Sequence, residues 1–225
     1  MGHGIAQVFA MAGHQVTMYD VADDVVERGL DRIESNLEGG IEVGKVTDAE
    51  KAATLDRLAG TADLPEAVDD ARFVVEAVPE DLELKRDVLG RAEANAPTDA
   101  VIASNTSSIS ITELATDLDR PERAIGLHFW NPVHIVDFLE IPVAARTSDE
   151  TLDFVRGLVE DDLEFDYVVV NDYPGFASSR LGVTLGVEAM RMVAQGVAPP
   201  STIDRTMSEG YGYAMGPLEQ SDLAG

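Results

Sequence analysis

The sequence predicts an α/β protein in which a doubly wound, mostly parallel sheet is followed by the start of an all-α region. Through the first three quarters of the chain, short apolar segments of strand length alternate with helical stretches. Near-continuous apolar strands are typical of a parallel sheet covered on both faces. After Tyr173-Pro174-Gly175 only helical patterns remain. We therefore expect one domain over residues 1–172 and an incomplete helical domain over residues 173–225.

The individual elements follow from apolar spacing and from the residues that interrupt it. The first helix, over residues 5–12, ends at Gly13, and a strand over residues 15–20 follows it. Apolar residues three and four positions apart predict the other helices, and short continuous apolar runs predict the other strands. The further helices span residues 23–37, 47–58, 83–94, 109–118, 150–159, 181–195 and 202–209, and the further strands span residues 72–78, 100–104, 124–129, 136–143 and 167–170.

Composition excludes several functional classes. The formal net charge of the 225 residues is −26, and the chain has no cysteine. A surface this acidic repels nucleic acid. No apolar run approaches the roughly 18–20 residues that a membrane helix needs, and no signal segment opens the sequence, which favours a cytoplasmic protein without a membrane partner. The lack of cysteine excludes disulfides, thiolate metal sites and cysteine nucleophiles.

The acidic residues indicate adaptation to salt. Asp and Glu number 42 against 16 Lys and Arg, and they are spread along the chain. Such a surface repels itself at low salt, whereas at molar salt a Debye length of about 3 Å screens the repulsion. We interpret the surface as that of a halophilic protein, and an ordinary acidic protein is the alternative.

The first helix and strand resemble half of a dinucleotide-binding motif. Gly2 and Gly4 stand at a helix N-terminus, and the strand after that helix ends at Asp20. A helix N-terminus stabilises a pyrophosphate, and an acid at this strand end binds ribose hydroxyls, which favours NAD over NADP. The alternative is a glycine-containing helix start followed by a turn.

Two further segments carry candidate chemistry. Residues 104–108 follow a buried strand and supply hydroxyls and an amide, although Ser and Thr also cap helices. His128 ends an apolar strand, and Glu140 lies in the next one. A strand, a turn and a returning strand bring such residues together, and a carboxylate raises the basicity of an imidazole that it holds. A solvent-facing edge Glu and a packed His are the alternative. The histidines have no metal-ligand spacing, and no metal site is predicted.

Six short motifs occur in order along essentially the whole chain. They are Gly2-His3-Gly4-Ile5-Ala6, Glu76-Ala77-Val78-Pro79-Glu80 with Lys85, Ser104-Asn105-Thr106-Ser107-Ser108, His128-Phe129-Trp130-Asn131-Pro132, Pro174-Gly175-Phe176 with Arg180, and Met215-Gly216-Pro217-Leu218-Glu219. Together these motifs resemble the L-3-hydroxyacyl-CoA dehydrogenases, close to the 3-hydroxybutyryl-CoA type.

The resemblance implies a Rossmann-type NAD-binding domain, followed by a helical domain that forms a homodimer when complete and helps to close the substrate site. It implies hydride transfer between a (3S)-3-hydroxyacyl-CoA and NAD, in fatty-acid β-oxidation or a short-chain butanoyl-CoA route. His128 is then the general base, paired with Glu140. The other residues implied in catalysis are Ser107, Asn131 and Ser179, and those implied in cofactor binding are Gly2, Gly4, Asp20, Glu80, Lys85 and Asn105.

The chain also departs from the family pattern. The first strand and the first two glycines of the fingerprint do not precede Met1, and most of the helical domain does not follow, so we expect an internal Met taken as the start or a truncated gene. Ser179 stands where the family has Asn. Basic residues for the CoA phosphate are not evident, since Glu38 and Glu42 occupy that region. Arg32, Lys45 or bound salt cations are the candidate substitutes.

Two other functions remain open at this point. The chain is either active or an inactive, cofactor-deficient fragment that keeps the fold pattern and serves a structural role. A dehydrogenase of free hydroxy acids is the other alternative. The His128–Glu140 pair and the segment over residues 104–108 favour the acyl-CoA type.

Overall fold

The chain divides into two units, Met1–Asp172 and the residues from Tyr173 onward. Parallel strands form the centre of the first unit. The computed structural model describes residues 1–224. In the first unit β1 (Val16–Tyr19) pairs in parallel with β2 (Leu58–Thr61), and β3 (Phe73–Glu76), β4 (Val101–Ser104) and β5 (Ala124–Gly126) form a parallel sheet in that order. In a third sheet β7 (Phe138–Val143) pairs antiparallel with β6 (His128–Phe129) and parallel with β8 (Asp166–Asn171). The predicted, mostly parallel α/β architecture is confirmed.

Helices connect these strands. They are α1 (Gly2–Met11), α2 (Asp23–Glu42), α3 (Asp48–Leu55), α4 (Leu64–Val68), α5 (Leu82–Asn95), α6 (Ile111–Leu114) and α7 (Asp149–Gly157), which continues as a π-helical turn over Leu158–Asp162. Short polar side chains begin several of them. Thr47 and Glu50 form a capping box at α3, and Asp81 accepts a hydrogen bond from the Leu84 N–H at α5. These caps explain why the helices begin where they do.

Three elements escaped prediction, and one strand is divided. The helix α4 and the helix over Pro217–Ala224 were not expected, nor was the strand β2, because Leu58 reads as the end of the preceding helix. In the structure Leu58 lies opposite Val16, so pairing with β1 overrides the local helical pattern. The strand predicted over residues 124–129 is interrupted at Leu127, and its two parts belong to different sheets.

The largest apolar cluster of the first unit lies between α1, α7 and the strands. Ile5 and Phe9 of α1 pack there with Ile125, Leu139 and Val155, each at most 7% exposed. Aromatic rings fill the same region, with centroid separations of 5.8–6.5 Å within the set Phe9, Phe73, Phe129, Phe154 and Phe165. This core holds the strands on which the candidate site is built.

The carboxyl ends of β3, β4 and β5 are in register. Glu76 pairs with Ser104, and Ser104 pairs with Gly126. A Cβ atom on Gly126 would lie 2.6–2.8 Å from three atoms of the Pro142 ring, so only glycine fits where β7 crosses this edge. The segments that leave these strand ends carry most of the predicted site residues, as expected for a parallel sheet.

The second unit is helical. It contains α8 (Ser178–Ala194), α9 (Pro200–Arg205) and α10 (Pro217–Ala224), with a π-helical turn over Thr206–Gly210. The carboxylate of Asp204 accepts a hydrogen bond of 2.8 Å from the Leu218 N–H, which ties the start of α10 to α9. Among residues 1–224, none of the helices has the length and apolar character that crossing a bilayer requires.

Candidate functional site

His128 and Glu140 form a buried pair. They lie opposite each other in the antiparallel ladder of β6 and β7, and Nδ1 of His128 is 3.0 Å from Oε2 of Glu140. Glu140 is 1% exposed and His128 is 9% exposed. A carboxylate this deeply buried is costly without a partner, and the imidazole supplies one. The contact predicted from the strand pattern is therefore present.

An aromatic wall flanks His128. The Trp130 ring lies 5.0 Å from the imidazole between centroids, and the Phe138 ring lies 5.2 Å from Trp130 on the other side. Phe138 begins β7, so both aromatic residues belong to the strand ends that carry the His128–Glu140 pair. Packing on one face and the carboxylate at Nδ1 together hold the imidazole in one orientation.

Glu80 organises the segment Ser104–Ser108, which we call the serine loop. Its Oε1 atom accepts hydrogen bonds from Thr106 Oγ1 at 2.6 Å, Ser107 N–H at 3.1 Å, Ser108 N–H at 3.0 Å and Ser108 Oγ at 2.8 Å. Burial raises the pKa of Glu80, but the hydroxyl hydrogen bonds and the charge of Lys85 outweigh it and hold the pKa below its ordinary value. Glu80 is thus an anion that anchors the loop carrying Ser107.

Lys85 lies beneath this loop. Its Nζ atom is 2.8 Å from Glu76 Oε1, 3.0 Å from the Val78 carbonyl oxygen and 3.4 Å from Glu80 Oε2, and its side chain is 1% exposed. The hydrogen-bonding capacity of the ammonium group is therefore satisfied by the protein. The resemblance implied Lys85 as a cofactor contact, and the structure gives it internal partners.

Asn105 joins the serine loop to the strand that carries His128. Its side-chain Oδ1 accepts a hydrogen bond of 2.9 Å from the Phe129 N–H, and its own N–H donates to the Glu76 carbonyl oxygen at 2.8 Å. The Asn105 amide thus extends the sheet hydrogen bonding from β4 to β6. The two predicted segments, the serine loop and His128, are held together through this residue.

The N-terminus of α1 lies beside the segment that carries Asn131. A cavity of about 260 Å³ is lined by His3, Gly4, Asn36, Asn131, Pro132, Val133 and His134, together with Met1. A Cβ atom on Gly4 would lie 3.1 Å from Val133 Cβ, so glycine permits the close approach of α1. The first turn of α1 has no acidic side chain, whereas α2 and α7 each have two. This helix start is therefore suited to an anionic group.

The remaining predicted residues belong to other elements of the chain. Asp20 follows β1 and accepts a hydrogen bond of 2.8 Å from the Val21 N–H. Ser179 lies in the first turn of α8, in the second unit. A second cavity, of about 420 Å³, is lined by Arg72, Asp99 and Arg123 near the start of the strands, at the end of the sheet opposite the predicted site residues. Within residues 1–224, no group of three or more His, Asp or Glu side chains is arranged to hold a metal ion.

Comparisons with known proteins agree with this geometry. The 3-hydroxyacyl-CoA dehydrogenase NAD binding domain matches residues 1–173, and the 3-hydroxyacyl-CoA dehydrogenase C-terminal domain matches residues 175–225. The chain belongs to the 3-hydroxyacyl-CoA dehydrogenase family. It is accordingly an NAD-dependent 3-hydroxyacyl-CoA dehydrogenase, and its cofactor is NAD.

Individual relatives cover the whole chain. A probable 3-hydroxybutyryl-CoA dehydrogenase of Bacillus subtilis is 40% identical over 225 residues, which are 100% of this chain and 78% of that protein. The 3-hydroxybutyryl-CoA dehydrogenase of Clostridioides difficile is 35% identical, with 100% and 79% coverage. The crystal structure of (S)-3-hydroxybutyryl-CoA dehydrogenase from Ralstonia eutropha has a TM-score of 0.95 at 36% identity and covers 100% of this chain and 79% of that one.

Sequence reasoning missed the residues beneath the dehydrogenase site. Glu76 and Ser104 belong to recognised motifs but were given no role, and Oγ of Ser104 donates to Oε2 of Glu76 at 2.6 Å. The available signal was a single carboxylate in the apolar run over residues 72–78. The same reasoning that singled out Glu140 in its apolar strand applies to Glu76.

Proposed function

We propose that this dehydrogenase interconverts a short-chain (3S)-3-hydroxyacyl-CoA and the corresponding 3-oxoacyl-CoA, with His128 as the general base. The buried contact of 3.0 Å between His128 Nδ1 and Glu140 Oε2 is the observation that carries the proposal. The 3-hydroxybutyryl-CoA dehydrogenase names of the Bacillus and Clostridioides relatives support a short acyl chain. A place in fatty-acid β-oxidation, or in a short-chain butanoyl-CoA route, follows from this reaction.

The reaction transfers one proton between the substrate and the protein. Oxidation of the 3-hydroxyl group removes the hydroxyl proton and a hydride from C3, and NAD supplies the hydride acceptor. The proton passes to Nε2 of His128, while the Nδ1–H group continues to donate its hydrogen bond to the Glu140 carboxylate. Glu140 stabilises the imidazolium that forms and holds the ring orientation. In the reverse direction the same imidazolium returns the proton to the 3-oxygen.

The polar residues around this pair orient the two ligands. Ser107 and Asn131 are exposed and are proposed to contact the 3-oxygen and the thioester. Ser179 is proposed as a further substrate contact from its position in the family motif alone. For NAD, Gly2 and Gly4 are proposed to receive the pyrophosphate at the start of α1, and Asp20 the adenine-ribose hydroxyls. Glu80 and Asn105 are proposed to line the cofactor side of the site, and the buried Lys85 is proposed to support that side through its contact with Glu80.

The proposal is tested by NADH absorbance. The chain is purified in molar KCl, its fold is checked by circular dichroism, and NADH oxidation is followed with acetoacetyl-CoA. Activity is expected, and His128→Gln should lower turnover by about 10²–10⁴-fold, the range for loss of a general base. A folded wild-type chain without NADH oxidation would favour the inactive-fragment alternative. A near-normal rate for His128→Gln would remove the proposed mechanism.

We also propose that the protein forms a homodimer through its helical unit. Leu181, Val183 and Met190 of α8 are 71%, 66% and 51% exposed. Exposed apolar side chains on one helix are typical of a protein–protein contact. Sedimentation velocity in molar KCl should give the mass of a dimer, and Leu181→Glu should shift the distribution towards monomer. A monomeric wild-type protein contradicts the proposal.

A further inference from the structure

We propose that Glu76 is a positioning residue for the serine loop and that it acts through Lys85 on Glu80. The inference rests on the proposed function, because it takes Ser107 as a substrate contact. Glu76 touches neither ligand in this scheme. It sets the position of the residues that do.

Glu76 is the centre of a buried polar network. Its Oε1 atom accepts hydrogen bonds from the Val78 N–H at 2.6 Å and from Lys85 Nζ at 2.8 Å, and its Oε2 atom accepts one from Ser104 Oγ at 2.6 Å. The side chains of Glu76 and Lys85 are both 1% exposed. A buried carboxylate with every oxygen engaged is rigid, since each lost contact leaves a polar group without a partner.

Two paths lead from Glu76 to the serine loop. The shorter path passes through Ser104, whose Oγ donates to Glu76 and accepts from the Thr106 N–H at 3.2 Å. The longer path passes through Lys85 to Glu80, whose Oε1 atom holds Thr106, Ser107 and Ser108. Both paths meet at Thr106, which is fully buried. The loop therefore depends on Glu76 from both sides.

The distances show that the Glu76 and Glu80 carboxylates have different main partners. Lys85 lies 2.8 Å from Glu76 and 3.4 Å from Glu80, so Glu76 is its closer partner. The Oε2 atom of Glu80 faces the ammonium group, while its Oε1 atom is left to the loop. Without the Glu76 charge, Glu80 is the carboxylate that remains beside the buried Lys85 ammonium. We expect Glu80 to turn towards Lys85 and its hydrogen bonds to Ser107 and Ser108 to weaken.

The decisive variant is Glu76→Gln, which keeps the shape and removes the charge. Its matched control is Glu93→Gln on α5. Glu93 is 6% exposed and accepts hydrogen bonds from the Asp119 and Arg120 N–H groups, both at 2.8 Å, with no contact to the serine loop among its hydrogen bonds. Both variants remove one buried, hydrogen-bonded carboxylate, so both are expected to lower the thermal midpoint.

Steady-state kinetics with acetoacetyl-CoA and NADH distinguish positioning of the serine loop from a contribution to stability alone. Assays are run well below the unfolding midpoints of all variants, with the folded fraction measured. Glu76→Gln is expected to lower kcat/KM for the acyl-CoA by about 10–100-fold, the range for a displaced orienting group, and Glu93→Gln to leave it unchanged. A value for Glu76→Gln within about twofold of the wild type overturns the inference.

A double-variant cycle tests the path through Glu80. The amide oxygen of the Glu76→Gln side chain still accepts a hydrogen bond from Ser104 Oγ, so the cycle isolates the path through Lys85. If Glu76 acts through Glu80, the variant Glu76→Gln/Glu80→Gln should be about as impaired as Glu80→Gln alone. Multiplication of the two single effects would overturn the assigned path. An inactive wild-type chain would instead remove the proposed function, and with it this inference, so the two failures are distinguishable.

Discussion

Replacing Glu140 by glutamine removes the charge beside His128 and keeps the shape of the side chain. The Nδ1 and Oε2 atoms are 3.0 Å apart, so the two charge centres lie about 4 Å apart once His128 carries a proton. At an effective dielectric constant of about 20 their attraction is about 4 kcal/mol. The attraction is complete only when the hydroxyl proton reaches the imidazole, so it acts on the transition state. At about 1.4 kcal/mol per decade of rate, we expect Glu140→Gln to lower kcat by about 10²–10³-fold.

Turnover in the oxidation direction, at saturating (3S)-3-hydroxybutyryl-CoA and NAD, measures this effect directly. Glu93→Gln serves again as the control for loss of a buried carboxylate elsewhere in the first unit. The KM for each ligand should change little, because the ion pair forms only as His128 accepts the proton and so contributes little to ligand binding. A kcat for Glu140→Gln within about twofold of the wild type would refute the assignment of Glu140 as the partner of the base.

Three further outcomes are expected. Lowering the pH from about 6 to about 3 should lower the thermal midpoint of the wild type more steeply than that of Glu80→Gln; the pKa of Glu80 is depressed in the folded state, so its stabilisation is present above the ordinary value of 4.5 and lost as the pH falls below it. Equal slopes would contradict this. Gly126→Ala should destabilise the protein by about 1–3 kcal/mol in denaturant titrations, because the new methyl group meets the Pro142 ring at 2.6–2.8 Å. Raising KCl from about 0.1 M to about 1 M shortens the Debye length from about 10 Å to about 3 Å and should raise the thermal midpoint of a chain with net charge −26; a constant midpoint would remove the salt-adaptation hypothesis.

Most of the strands and the contact between His128 and Glu140 could be predicted because each has a local signal. Glu140 is a lone acid in an apolar run, and the turn before it returns the chain towards His128. Burial of a charge requires a partner, so composition and spacing were enough to bring the two together. The parallel sheet followed in the same way from continuous apolar runs.

The network beneath the serine loop could not be predicted from spacing. Lys85 lies near the start of α5, and the helical pattern does not show that its partners come from the end of β3 and from the loop before α5. Glu80 binds residues 26 to 28 positions later in the chain, so its contacts depend on the strand order. The strand β2 is a similar case, because Leu58-Ala59-Gly60-Thr61 becomes a strand only through its pairing with β1. Long-range pairing, which local patterns do not contain, decides these features.

The ladder between β6 and β7 has only two pairs, His128 with Glu140 and Phe129 with Leu139. Residues 130–137 form the connection between them. A shift of one residue in this ladder would move Glu140 to the opposite face, so the strands tolerate no insertion or deletion. The connection lies outside the ladder, so a substitution within it leaves the register of His128 and Glu140 unchanged. Asn131, the proposed substrate contact, lies on this connection. Under the proposed mechanism, variation in substrate recognition is therefore separable from the His128–Glu140 pair, in evolution and in loop-grafting experiments.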